Sequence, residues 1–123
     1  AKISPSGHNI HNNLGDVYGK KGYYEKAIKE FETAIKIKPN YADAMHNLAN
    51  LHNELGQIKQ SIYWYEMAIK NNPLLWQSYI NLGSIYYNLK EYALAEELFV
   101  KANELQPKNK DIKNALDLIR KIQ

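Results

Sequence analysis

Residues 42–75, ADAMHNLANLHNELGQIKQSIYWYEMAIKNNPLL, decide the fold once they are laid over the 34 residues on either side. The shift of 34 sets Leu48 over Leu14 and Leu82, and Asn47 over Asn13 and Asn81. It also sets Ala68 over Ala34 and Ala102, and Pro73 over Pro39 and Pro107. Four columns in one register mark stacked helical units, because one such unit cannot bury its apolar face alone and must lean on the next. Each unit holds two apolar patterns of helical spacing separated by a Gly-containing or polar turn. The spacing predicts helices over 8–20, 24–37, 42–55, 58–71, 76–89, 92–105 and 109–122. The repeats are expected at 8–41, 42–75 and 76–109, an all-α chain of three helix-turn-helix units.

Packing explains the columns. Small residues at Gly15, Ala27, Ala34, Ala49, Ala68, Gly83, Ala95 and Ala102 let two helix backbones come close, while Tyr18, Phe31, Tyr65, Tyr86 and Phe99 fill the space between them. Each proline ends a unit, since it cannot continue the helix before it. Residues 110–123 are expected to form a capping helix over the last unit, with Ile112, Ala115, Leu116 and Ile119 on one stripe and Lys113, Asp117, Arg120 and Lys121 elsewhere. Residues 1–7 read as a linker or cloning remnant, and a start without Met suggests an excised piece of a longer protein.

The pattern resembles the tetratricopeptide repeat family. The first unit carries it as Leu14-Gly15, Tyr18, Gly22, Tyr24, Ala27, Phe31, Ala34 and Pro39. The second reads Leu48-Ala49, His52, Gly56, Ile58, Ser61, Tyr65, Ala68 and Pro73, and the third Leu82-Gly83, Tyr86, Lys90, Tyr92, Ala95, Phe99, Ala102 and Pro107. His52, Ser61 and Lys90 depart from the pattern. The resemblance implies a right-handed superhelical solenoid in which the first helix of each pair lines a concave, peptide-binding groove. On that basis the groove residues are Asn9, Asn12, Asn13, Asp16 and Lys20, then Asp43, His46, Asn47, Asn50 and Glu54, then Gln77, Asn81, Ser84 and Asn88. The segment from Asn40 to Ala49 is similar to repeats of the O-linked N-acetylglucosamine transferase superhelix, whose asparagines bind extended substrate segments. No glycosyltransferase domain is present in this chain.

Asparagine suits that task because its amide offers one acceptor and two donors, matching both groups of a peptide backbone. Asn13, Asn47 and Asn81 form the expected ladder; the competing expectation is that each merely bonds a neighbouring helix. Three such contacts at about 1 kcal/mol each fall short of the roughly 4 kcal/mol that even millimolar binding requires, so other groove residues must add to them. A second mode of the family is a carboxylate clamp of two Lys, an Arg and two Asn for acidic chaperone tails. Here Asn12 and Gln77 stand at the lysine positions, Asp16 at one Asn and Asn81 at the Arg, with only Asn47 in agreement. The sign of Asp16 would repel a carboxylate.

Composition narrows the remaining classes. With 45% apolar and 24% charged residues the chain has the balance of one globular domain, and no apolar run reaches a membrane span, so no membrane partner is expected. There are no cysteines, which removes disulfides and thiolate chemistry, and the compartment is left as cytoplasmic by default. A net charge of +3, spread along the chain beside Asp16, Asp43 and Glu54, argues against nucleic acid. His8 and His11, and His46 and His52, lack a third close ligand, so neither metal nor cofactor is expected. No nucleophile–base pair or phosphate-cradling Gly loop is present, and the chain reads as a non-enzyme. Its expected partner is a protein or peptide segment. The alternative is a self-associating scaffold, since stacked repeats with apolar edges can join end to end.

Overall fold

The computed structural model describes residues 7–123 as seven α-helices: α1 (Gly7–Lys20), α2 (Tyr24–Ile37), α3 (Ala42–Glu54), α4 (Ile58–Asn71), α5 (Trp76–Asn88), α6 (Tyr92–Leu105) and α7 (Lys110–Ile122). Their ends fall within one residue of the spans that the apolar spacing predicts. Of the expected linker, residues 1–6 lie outside the described residues, and Gly7 is the first residue of α1. No described helix is long and apolar enough to cross a membrane. The chain divides into two compact units, the first ending at Asn71 and holding α1 to α4, the second spanning Asn72–Gln123.

The turn inside each pair is the same device three times. After α1 the Tyr23 N–H donates to the Tyr18 carbonyl at 2.9 Å and the Gly22 N–H to the Gly19 carbonyl at 3.1 Å. This closure satisfies carbonyls at the helix end and puts one residue in the left-handed region, where glycine is at ease. Gly22 and Gly56 take it with φ of 84° and 74°, and Lys90, one of the three departures, takes it with φ of 63°. The other end of each pair is set by proline: α2, α4 and α6 each stop two residues before Pro39, Pro73 or Pro107.

Within the pairs, the small columns allow close approach. A Cβ on Gly15 would lie 2.6 Å from Phe31 Cε1, and one on Gly83 would lie 2.7 Å from Phe99 Cε1. Ser61 takes the place of Ala27 and Ala95 without leaving a polar orphan, because its buried hydroxyl donates to the Ala49 carbonyl at 2.9 Å. The His52 ring is likewise engaged, 2.6 Å from the Gln57 side-chain oxygen.

In the first unit α2 sits on α3: Ala27 and Phe31 pack with Leu48 and Leu51, flanked by Tyr18, Ile28, Ile35, Leu55 and Trp64. In the second unit α6 sits on α7 in the same way, with Ala95 and Phe99 against Leu116 and Ile119. The stripe expected on the last helix is therefore covered, and Ala115 lies half-buried at its edge. Burial of each aliphatic side chain of this size is worth about 1.5–3 kcal/mol, and this contact carries α7. Asn109 starts that helix by accepting hydrogen bonds from the backbone of Asp111 and Ile112.

Candidate functional site

In the first unit the polar residues of α1 and α3 form two groups. One is a hydrogen-bond chain that crosses between helices. The Asn47 amide donates to Asn12 Oδ1 at 3.0 Å, the Asn12 amide donates to the Tyr41 hydroxyl at 3.3 Å, and that hydroxyl donates to Asn9 Oδ1 at 2.8 Å. Burial raises the Tyr41 phenol above its ordinary pKa, with the charge of Asp43 adding to the shift and the Asn12 hydrogen bond opposing it, so the hydroxyl stays a donor.

The other group surrounds a cavity of about 400 Å³, lined by Asp16, Lys20, Asn47, Asn50 and Glu54 over a floor of Gly15, Gly19, Tyr24, Phe31 and Leu51. Asp16 and Lys20, one turn apart on α1, pair along one wall of it at 3.1 Å, both well exposed, so the pair directs charge more than it stabilises the helix. Two carboxylates against one ammonium leave the cavity mildly acidic. Asn50 accepts the hydroxyl of Tyr65, whose ring also meets the His46 ring edge-on at 5.6 Å. Burial pushes the His46 pKa below its ordinary value, against the attraction of Asp43, and the imidazole is neutral at pH 7.

Asn13 and Asp43 are exposed and line neither feature; His46 lies half-buried beside Tyr65. In the second unit Ser84 and Asn88 meet at a cavity of about 230 Å³ shared with Tyr87, Phe99, Ala115 and Leu118, whereas Gln77 and Asn81 do not line it. Of the apolar members of both cavities, Gly15, Phe31, Phe99 and Ala115 are read from sequence as packing residues, while Gly19, Leu51, Tyr87 and Leu118 have no assigned role there. A usable signal was present in Gly15 and Gly19, one helical turn apart, since two missing side chains on one face leave a recess. Tyr41, the hub of the amide chain, had no sequence signal beyond its place at the repeat boundary. Among the described residues no three His, Asp or Glu side chains gather where they could hold a metal ion.

Against known proteins, a tetratricopeptide repeat model matches residues 42–73 and 77–109, and a second TPR repeat model matches residues 20–56. The chain belongs to the tetratricopeptide repeat family. No curated protein matches it. Among solved structures, the first tetratricopeptide domain of Spaghetti (RPAP3), described as bound to the HSP90 peptide SRMEEVD, superposes with a TM-score of 0.87 at 20% identity over 98% of this chain and 95% of that one. The Arabidopsis OM64 tetratricopeptide domain gives 0.86 at 24% identity, covering 96% of this chain and 98% of that one. The first such domain of human RPAP3 gives 0.85 at 21% identity over 96% and 93%. At these identities the likeness establishes the tetratricopeptide fold; binding must be argued from this chain's own residues.

Proposed function

We propose that this chain is a non-catalytic protein-interaction module that holds an extended partner segment against the first helices of its repeats. The observation that carries this reading is the recess of the first unit, where Asn47 and Asn50 stand beside Asp16, Lys20 and Glu54. A peptide backbone alternates donors and acceptors, and an amide can answer both. One hydrogen of the Asn47 amide goes to Asn12, and an amide has a second hydrogen and an acceptor oxygen to offer. Asn13 is exposed on the same helix as Asp16, and Asn81 supplies the equivalent amide in the second unit. That a solved domain of the same fold is described as bound to a peptide supports the class of activity.

The charge favours a neutral or basic segment. Asn12 and Gln77 stand where the family's carboxylate clamp has lysines, and Asp16 and Glu54 face the recess, so an acidic tail would meet like charge. The test is a peptide-array pull-down with the wild-type chain beside an Asn13→Ala, Asn47→Ala, Asn81→Ala variant of verified helicity. Capture of neutral or basic peptides by the wild type, lost in the folded variant, is the expected result. Equal capture by both would leave Asn13, Asn47 and Asn81 without a part in binding, and capture by neither would overturn the peptide-binding reading.

A further inference from the structure

The first helix shows an apolar stripe that every other first-type helix of the chain hides. Ile10, Leu14 and Val17 are 53%, 37% and 46% exposed. One repeat later the same register holds Ala44, Leu48 and Leu51, and two repeats later Ser78, Leu82 and Ile85, all 5% exposed or less. Three repeats later it holds Ile112, Leu116 and Ile119 in α7, at 4% or less. The stripe of α7 is almost that of α1, differing only by Ile for Val at its last position.

What covers such a stripe is visible twice in the molecule. On α3 it is α2, through Ala27 and Phe31; on α7 it is α6, through Ala95 and Phe99. The cover is in each case an amphipathic helix with alanine and phenylalanine four residues apart on its buried side. Charge refines the match. At the edge of the α6–α7 contact, Glu96 accepts hydrogen bonds from Arg120 at 3.0 Å and from Gln123 at 2.6 Å. In the register that overlays α7 on α1, Arg120 becomes Tyr18 and Gln123 becomes Lys21, so the exposed ammonium at the end of the stripe stands at the Gln123 position.

We propose that the Ile10–Leu14–Val17 face of α1 is a docking surface for an amphipathic helix of a partner protein, with the α6 pattern: alanine, then glutamate, with phenylalanine three residues after the glutamate. The alanine and phenylalanine lie over Leu14 and Val17, and the glutamate reaches Lys21. The area is apolar at the centre and charged at one edge, as in the α6–α7 contact; the α2–α3 contact is edged instead by apolar side chains, Ile28 and Leu55 among them.

The probe is a synthetic helix of residues 91–106, held helical by a lactam between Glu97 and Lys101, two exposed positions one turn apart. It is titrated by fluorescence anisotropy into the intact chain and into Leu14→Glu. Leu14 is already part-exposed, so the variant is expected to keep its fold, which circular dichroism checks. Saturable binding that weakens at least tenfold in Leu14→Glu is the expected result. A peptide with Glu96→Lys should bind several-fold more weakly to the wild type and regain affinity for Lys21→Glu. No saturation, or equal affinity for wild type and Leu14→Glu, would overturn the proposal. So would a concentration-dependent mass of the chain alone that Leu14→Glu abolishes, because the face would then belong to a second copy.

Discussion

Gly15 shows how one missing side chain can serve packing and site together. It admits Phe31 to the helix pair and helps form the floor of the recess below Asn47 and Asn50. A methyl group there would overlap the ring, so Gly15→Ala is expected to cost about 1–2 kcal/mol, overpacking outweighing the gain in helix propensity, and to lower the urea midpoint. His46 offers a different single-residue test. Its folded pKa lies below the unfolded value because burial disfavours the charged ring, so the unfolded state binds more protons. Its contribution to stability is therefore fully present above the unfolded value of about 6.5 and is lost as pH falls toward the folded value. Urea midpoints measured from about pH 7.5 to 5 should fall more steeply for the wild type than for His46→Asn. Equal slopes would place the cause in other groups.

At the scale of helices and turns, Lys90 is the clearest local conflict between sequence and structure. Gly22 and Gly56 occupy the left-handed turn position freely, while Lys90 adopts it against the contact of its own Cβ with the backbone. Lys90→Gly is expected to raise stability by about 0.5–1 kcal/mol, the relief of strain exceeding the extra entropy of glycine in the unfolded chain. An unchanged or lower urea midpoint would show that the lysine side chain compensates. The helices themselves were legible in the sequence because proline ends α2, α4 and α6 at a fixed offset and the apolar columns repeat without insertion. The candidate site was legible only in part. Asp16, Lys20, Asn47, Asn50 and Glu54 converge on one recess, but the partners that orient the amides do not follow from helical periodicity. Tyr41 joins Asn9 and Asn12 from the start of another helix, and that contact depends on how helices pack, which a face assignment does not contain. The column of Leu14 is a second example: identical residues are buried at Leu48 and Leu82 and exposed at Leu14, because burial belongs to the neighbour and not to the residue.

For the molecule as a whole, a shared fold does not by itself imply a shared ligand. The chain superposes closely on a domain described as bound to SRMEEVD, yet its equivalents of the clamp residues are amides and an aspartate. Calorimetry with SRMEEVD should therefore detect no binding tighter than about 1 mM, a threshold of roughly 4 kcal/mol, even at low salt where charge effects are strongest. Micromolar affinity would mean that other cations of this lysine-rich chain do the work of the missing clamp. The most direct test of the central claim follows the asparagine side-chain amide resonances by NMR while a captured peptide is titrated in. Shifts concentrated on the amides of Asn13, Asn47 and Asn50 and on the backbone of Gly15 and Gly19 are the expected result. Shifts confined to second-helix residues such as Tyr63 and Glu97, with the asparagine amides unmoved, would contradict the claim.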